Sequence, residues 1–319
     1  MAQKVVLCGA GFLGSNIAIA ISKGNASTKV LRRIQVSSRH PQSTYTQLTR
    51  DIPQEHLLPP IPIDITNPQT LRQAFDNADV VISLVGILHG SPEQFDKIQW
   101  RGAENVANAA KEVGARLIHI SAIGADKDSD IPYERTKALG EEAVFKACPG
   151  ATVVRPSLVF GPGDGFFLRL ARLSQILPFM PVFGGGLTRF QPVYAGDLGR
   201  LVEIITRSDE EVIKKVAGKI IEAGGPDVFT YRQIIELVLK YTKRIRPIIS
   251  LPWFVGEAQG AIFERLPPNL FTVTRDQVAQ LKHDNVVSSD SAHLSCKEIL
   301  EEYSAASSTS VHEILPKYL

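Results

Sequence analysis

The chain has 319 residues, 44% of them hydrophobic and 21% charged, with a formal net charge of +2, which suffices for one full α/β core plus a smaller appended region of ordinary globular composition. So mild a charge balance, without a Lys/Arg run or aromatic–basic interleaving, gives no expectation of a nucleic-acid partner. Cys8, Cys148 and Cys296 form no Cys-x-x-Cys pair and the histidines no metal-ligand spacing, so neither a disulfide framework nor a metal is expected, and a reducing compartment fits best.

Val5 to Ser22 carries no charge and is bracketed by Lys4 and Lys23. Its length approaches a membrane span or signal sequence, but glycines divide it into a buried strand and a helix from Phe12, as buried parallel strands read as continuous apolar runs. No Arg- and Ser-rich transit segment precedes that strand, so organelle import would need an internal or atypical signal. Strand and helix then alternate, the pattern of a Rossmann-type, doubly wound parallel sheet in an α/β protein. Strands are expected at Lys4 to Cys8, Arg33 to Ser37, Ile61 to Asp64, Val80 to Val85, Arg116 to Ser121 and Thr152 to Arg155. A polar, Pro-containing stretch from His40 to Pro60 reads as a surface excursion. Helices are expected at Pro68 to Phe75, capped by Thr66 or Asn67, at Phe95 to Val113 and at Tyr133 to Lys146. After Arg155 the rhythm changes. A helix at Ala195 to Thr206, a strand at Lys219 to Glu222, a helix Tyr231 to Thr242 capped by Thr230, and short helices near Trp253 to Glu264, Arg275 to Leu281 and Ser295 to Tyr303 follow. The expected division is a dinucleotide-binding core over 1–155 and a smaller, mostly helical region over 156–319, packed at the sheet's carboxyl edge.

The chemistry begins at Gly9-Ala10-Gly11-Phe12-Leu13-Gly14, a G-x-G-x-x-G directly after a strand. Gly9 permits the tight turn, Gly11 lets the backbone approach a pyrophosphate, and Gly14 lets helix and strand pack closely. The helix opening at Phe12 and Leu13 offers free N–H groups and the positive end of its dipole. NAD sites usually end the second strand with Asp or Glu, which hold the ribose hydroxyls. Here that end reads Val36-Ser37-Ser38-Arg39-His40. Arg39, with Ser38, would pair with a 2′-phosphate, so NADP(H) is preferred and NAD(H) is the alternative. Asp64 and Ile65 would flank the adenine, although Asp64 serves equally as a helix-capping acid. Leu84, Val85 and Gly86 would face the cofactor's ribose.

These segments, with Tyr133-Glu134-Arg135-Thr136-Lys137 and Arg155-Pro156-Ser157-Leu158-Val159-Phe160-Gly161-Pro162-Gly163-Asp164, resemble the extended and atypical short-chain dehydrogenase/reductase superfamily. Phe190-Gln191-Pro192-Val193-Tyr194 with Asp197, Thr274-Arg275-Asp276-Gln277-Val278, Asp284-Asn285-Val286-Val287 and the ending Leu315-Pro316-Lys317-Tyr318-Leu319 narrow the likeness. Together they are similar to the family of the NADPH-binding accessory subunit of mitochondrial complex I, which includes a fungal relative found with the ubiquinone-biosynthesis complex. The resemblance covers nearly the whole chain. It departs at Cys8, where superfamily members more often carry Gly. The complex I subunit also carries a presequence that is not seen here, which tilts the resemblance toward the ubiquinone-biosynthesis relative. The resemblance implies quinone-biosynthesis or respiratory-complex partners, a mitochondrial location on the matrix side of the inner membrane with peripheral membrane contact, and a cofactor contact for Pro156.

In active superfamily members a Tyr exchanges the proton, a Lys four residues on lowers its pKa and holds the nicotinamide ribose, and a Ser or Thr orients the substrate carbonyl. Tyr133 and Lys137 fit the first two roles, on one helix face. Ser121 is the candidate third member. By the resemblance, however, the catalytic hydroxyl falls a couple of positions later, where this chain has Ile123, which leaves the set incomplete and Ser121 as a cofactor contact. Lys137 holds the ribose in either case. Arg155 and Asp197 read as structural. In Gly165 to Phe183, Phe166, Leu170, Leu173, Leu177 and Met180 recur at helical spacing. That stripe is either a core-packing helix or an amphipathic surface for a membrane or a polyisoprenoid quinone, and Leu251-Pro252-Trp253-Phe254-Val255 either joins it or packs in the core. Three functions fit: an accessory nucleotide-binding component of ubiquinone biosynthesis, an active NADPH-dependent oxidoreductase on a lipophilic quinone-related substrate, or a complex I accessory or assembly subunit.

Overall fold

Six of the apolar runs form parallel strands: β1 (Gln3–Cys8), β2 (Arg32–Ser38), β3 (Leu57–Pro62), β4 (Val80–Ser83), β5 (Arg116–Ile120) and β6 (Thr152–Pro156). The computed structural model describes residues 2–9, 11–264, 269–288, 292–304 and 306–319. Two later strands, Ile220–Ala223 and Leu294–Ser295, extend the sheet beyond β6. The order is Leu294–Ser295, Ile220–Ala223, β6, β5, β4, β1, β2, β3, with every pairing parallel. From β1 the chain winds outward to β3 and then returns to β4 on the other side of β1. That reversal is the topological switch point, where α/β sheets open a ligand crevice beyond their carboxyl ends.

The crossovers run through α1 (Phe12–Gly24), α2 (Gln42–Leu48), α3 (Pro68–Phe75), α4 (Pro92–Phe95), α5 (Arg101–Glu112) and α6 (Pro132–Ala147). Asn67 caps α3 by accepting from the Gln69 amide, and Pro68 occupies its first turn. Against one face of the sheet, Phe75, Val106 and Val144 pack on Val6, Val81, Leu117 and Val153, all buried. Burial at this depth is worth about 1.5–3 kcal/mol per large side chain.

Three expectations shift. The third strand runs over Leu57–Pro62 rather than Ile61 to Asp64, because Pro59 and Pro60 lie on an edge strand, where a missing N–H costs no ladder bond. The expected excursion from His40 holds α2. The helix expected from Phe95 is interrupted by a π-helical turn over Asp96–Trp100 between α4 and α5.

The chain forms two compact units. One holds Met1–Pro156, Ala195–Ala223 and Ser289–Ser307, the other Ser157–Tyr194, Gly224–Ser288 and Ser308–Leu319. The expected division into 1–155 and 156–319 differs because the chain returns twice to the sheet. The strand Ile220–Ala223 pairs with the edge that β6 would otherwise leave open. The helix Ala195–Thr206 lies on α1 so closely that a Cβ on Gly199 would sit 3.0 Å from the Asn16 carbonyl oxygen. In the second unit, Phe160, Phe167, Leu170, Met180, Ile234 and Val238 form a separate core. The stripe from Phe166 to Met180 divides there. Phe167–Ile176 is a helix with Phe167 and Leu170 inward, whereas Met180 begins the strand Met180–Phe183. Thr230 caps the helix Tyr231–Tyr241 in a reciprocal box with Gln233.

Candidate functional site

All the strands that carry the sequence-derived site residues point their carboxyl ends to one edge of the sheet, so the segments after β1 to β6 lie along that edge in the first unit. At its centre Gly9 adopts φ +125° and donates to the Ser37 carbonyl at 2.9 Å. A Cβ there would lie 2.9 Å from Leu84 Cβ, and one on Gly14 would lie 2.4 Å from the Gly9 carbonyl oxygen. Both glycines are therefore dictated by the protein's own packing. Gly11 differs: among the described residues a Cβ at that position would meet nothing within 4 Å beyond its chain neighbours. Gly11 is also the N-cap of α1, with no side-chain cap and no acidic residue in the first turn. The opening N–H groups and dipole of α1, beside the half-buried Phe12 and Leu13, thus face a space that fits an anion.

At the end of β2, Ser38 is half-buried, and its carbonyl accepts from the Ile63 amide at 3.0 Å. Arg39 is exposed. Asp64 Oδ1 accepts from the Thr66 amide at 2.9 Å and from its hydroxyl at 2.8 Å. Those two bonds, aided by the nearby charges of Arg39 and Lys97, hold its carboxyl below the ordinary value. Asp64 therefore closes the turn before α3, with Arg39 in electrostatic range. Ile65 is not brought to the crevice. It is buried, a Cβ on Gly102 would lie 2.4 Å from its Cδ1, and its carbonyl accepts from Asn105 at 2.9 Å. Its place one residue past Asp64 turns it inward to the core.

Beyond β4, Leu84 backs the glycine turn, with its amide on the Cys8 carbonyl at 2.8 Å, and Val85 follows it half-buried. A Cβ on the exposed Gly86 would sit 3.3 Å from both Lys137 Nζ and Gln99 Oε1. Lys137 lies on α6, buried, and donates to the Ile120 carbonyl at 3.2 Å. Burial pulls its amine down to about 8, against the opposing pull of Glu141. Gln99, delivered by the π-helical turn, donates to Thr136 Oγ1 at 3.0 Å. Among the described residues, three buried groups here keep polar atoms without a hydrogen-bond partner: Gln99 Oε1, Ser121 Oγ and both ring nitrogens of His119. Buried polar atoms are nearly always paired, so this set of groups fits a polar ligand. His119 is neutral, pushed down to about 3 by burial and then by the charge of Lys137. Neither His119 nor Gln99 was singled out by sequence reasoning. The available signal was a polar residue set within an apolar strand and on an apolar helix face.

Tyr133 lies one turn before Lys137, its ring edge-on to Phe95 at 6.2 Å. Burial, and then the charge of Glu134, push its hydroxyl up to about 12. Among the described residues it makes no hydrogen bond to Lys137 or Ser121. Ile123 is buried with its amide on the Pro156 carbonyl at 3.0 Å, so Pro156 closes the floor between β5 and β6. Arg155 forms a two-point pair with Glu141 at 2.9 and 2.6 Å, and Asp197 pairs with Arg200 at 2.5 Å. These are structural contacts.

The Lys137 amine makes a testable pH prediction. Its folded value of about 8 lies below the ordinary 10.5, so between the two the unfolded chain binds more protons. This group's contribution to stability therefore rises as pH climbs through that window and is lost as pH falls back toward 8. Urea unfolding at steps across the window should show the gain in the wild type and not in Lys137→Met. An equal gain in both would refute the assignment.

An eight-stranded parallel sheet with an uncapped helix facing an open glycine turn at the switch point defines an NAD(P)-binding protein of the Rossmann class. The chain belongs to the NAD dependent epimerase/dehydratase family, whose model matches residues 5–217. It is 30% identical over 291 residues to NADH dehydrogenase (ubiquinone) 1 alpha subcomplex subunit 9, mitochondrial, of Arabidopsis thaliana, covering 87% of this chain and 69% of that relative. Among solved structures it resembles dTDP-glucose 4,6-dehydratase from Streptomyces venezuelae with NAD bound, at TM-score 0.71 and 16% identity over 99% of this chain and 95% of the other. It equally resembles the Citrobacter sp. triphenylmethane reductase complexed with NADP(H), at TM-score 0.71 and 14% identity over 99% and 100%. One neighbour holds NAD and the other NADP(H), so the shared fold does not choose between them.

Proposed function

We propose that this chain is an NADP(H)-holding accessory component of mitochondrial quinone machinery, in ubiquinone biosynthesis on the matrix side of the inner membrane, with the dinucleotide retained rather than turned over. Gly9, Gly11, Phe12, Leu13 and Gly14 would hold the pyrophosphate. Ser38 and Arg39 would take the 2′-phosphate, with Asp64 beside the adenine. Leu84, Val85 and Gly86 would line the ribose, and Ser121, Lys137 and Pro156 the nicotinamide end. A bound nicotinamide supplies a hydride donor or acceptor. The observation that carries the retained-cofactor reading is the contrast within the site. The glycine turn and the opening amides of α1 leave room for a phosphate, whereas the buried apolar Ile123 stands where the superfamily resemblance expects a hydroxyl and, among the described residues, Tyr133 makes no hydrogen bond to Ser121 or Lys137.

A second reading, an active NADPH-dependent reductase on a lipophilic quinone-related substrate, is favoured by the unpaired Ser121 Oγ and the lowered Lys137 amine. The Arabidopsis relative's name supports a third, a complex I accessory subunit. One set of variants separates them. Tyr133→Phe should leave NADPH affinity and cellular ubiquinone content unchanged, and Arg39→Ala should weaken NADPH by about tenfold, the scale of one lost charged hydrogen bond, without touching NADH. Loss of ubiquinone in Tyr133→Phe would establish turnover instead. Tighter binding of NADH than NADPH would remove the role given to Arg39. Companions identified by mass spectrometry as complex I subunits alone would move the chain to that assembly.

A further inference from the structure

Strand β5 carries a histidine into a hydrophobic core. Side chains alternate along a strand, so Leu117, His119 and Ser121 share one face. On that face Leu117 packs with Val6, Val81 and Val153 against Val106 of α5 and Val144 of α6. His119 stands in register with Ser83 of β4 and Val153 of β6, and it is 2% exposed. Among the described residues neither of its ring nitrogens has a hydrogen-bond partner. A neutral imidazole has one N–H and one bare nitrogen, so this ring calls for both an acceptor and a donor where Leu117 and Val153 call for neither. An apolar residue would fill the position without that cost.

Lys137 reaches the same place from α6. Its Nζ donates to the carbonyl of Ile120, the residue after His119, at 3.2 Å. Nζ and Gln99 Oε1 both lie 3.3 Å from the position of a Cβ on Gly86. An ammonium offers three hydrogens, and the Ile120 carbonyl takes one. The titratable groups that face this amine are few. Glu141, one turn further along α6, favours the charged form but is itself held by Arg155 of β6 in a two-point pair. Tyr133 stands one turn before it and keeps its proton. From β5 it is faced by the neutral His119. A bare ring nitrogen that accepts from an ammonium favours the charged amine over the neutral one.

We infer that His119 is a positioning residue for Lys137, joined to it by internal water enclosed between β5 and α6. One water accepts a hydrogen from Lys137 Nζ and donates to the bare ring nitrogen and to Gln99 Oε1; a second takes the ring N–H. Buried water of this kind answers polar groups that the fold leaves unpaired, with about three hydrogen bonds each. The link holds the lysine charged and fixes where its amine points. Ser121 is left out of it, free for the ligand given to it above. The inference rests on the proposed function in one respect only, that the amine so held is the one that meets the nicotinamide ribose.

Urea unfolding of the full chain without nucleotide, in steps from about pH 6 to about pH 11, reads the link. Lys137 binds fewer protons folded than unfolded between about 8 and 10.5, so wild-type stability begins to rise near pH 8. His119→Leu removes the acceptor, and the rise should set in about one pH unit lower, the scale of one hydrogen bond to a charged group. His119→Gln keeps a donor and an acceptor and should retain the wild-type onset. Adding Lys137→Met to His119→Leu should abolish the rise. In the wild type, nitrogen-15 imidazole spectra at about pH 5 should show His119 with a single N–H in contact with water. An unmoved onset in His119→Leu, an onset in His119→Gln about one unit below the wild type, or a ring N–H without water contact would overturn the inference. Should His119→Leu fail to fold, the glutamine variant and the wild-type spectra still decide it. NADPH titration tests the ribose contact separately: His119→Leu should bind about fivefold more weakly at about pH 8 and equally well at about pH 6. A lowered onset with wild-type NADPH affinity at both removes the ribose contact and leaves the link between His119 and Lys137 standing.

Discussion

Replacing Gly11 with alanine should weaken dinucleotide binding about hundredfold while leaving the fold as stable as before. The backbone at Gly11 has φ −100°, which alanine adopts without strain, and among the described residues its Cβ would meet nothing within 4 Å beyond its chain neighbours. A Gly→Ala change at a compatible site even stabilises slightly, by about 0.4–1 kcal/mol, through the unfolded chain. The only cost arises when a phosphate approaches the α1 amides, because the methyl then occupies the approach. Gly14→Ala is the contrasting control. Its Cβ would lie 2.4 Å from a backbone oxygen that cannot swing away, so it should lower stability whether or not nucleotide is present. Fluorescence titration with NADPH beside thermal melting reads both variants. A Gly11→Ala protein that binds normally would mean the pyrophosphate does not lie against this turn, and the proposed function would go with it.

The parts of this site legible in the sequence are the local ones. A strand, a glycine turn and a helix start lie within a dozen consecutive residues, and each glycine's role follows from backbone geometry that neighbours in sequence impose. The central strands were legible for a related reason: buried on both faces, they read as plain apolar runs, Val5 to Cys8 and Val80 to Ile82. Features that depend on what packs across space were not. Pro59 and Pro60 argue against a strand unless β3 is known to be the edge. The π-helical turn that swings Gln99 toward Lys137 leaves the helical pattern of Phe95 to Val113 almost unaltered. Ile65 faces the core because Gly102 on α5 leaves room for it, a fact nothing near Ile65 announces. The two returns of the chain to the sheet, through Ile220–Ala223 and Leu294–Ser295, are long-range pairings whose short strands carry little pattern of their own.

Replacing Glu203 with glutamine should cost about 3–5 kcal/mol, a large share of the roughly 5–15 kcal/mol that holds a domain together. Glu203 Oε1 lies 2.7 Å from Arg32 Nη1, and the two side chains are 6% and 1% exposed. Arg207 holds the other carboxylate oxygen at 2.7 Å. Burial already presses on the Arg32 charge, and Glu203 is the group that opposes it. Arg32 retains Asn25 Oδ1 and Thr206 Oγ1 at 3.1 Å each, but neither carries countercharge, and among the described residues its Nη2 has no partner. Glutamine keeps the shape, removes the charge and turns one of the two accepting oxygens into an N–H donor, so Arg32 or Arg207 is left facing a donor and the cost is that of a stranded guanidinium. The partner test is Arg32→Met combined with Glu203→Leu. If the energy lies in the orphaned charge rather than in the attraction, the double variant should recover most of what the single one loses. The pair matters to the site because Glu203 also lies against α1, where a Cβ on Gly24 would come 2.3 Å from Glu203 Oε1, and α1 presents its other end to the phosphates. NADPH binding only the folded state should therefore return part of the lost stability, by mass action. A wild-type melting midpoint for Glu203→Gln would mean that water reaches Arg32; a double variant no better than the single would assign the energy to the attraction itself.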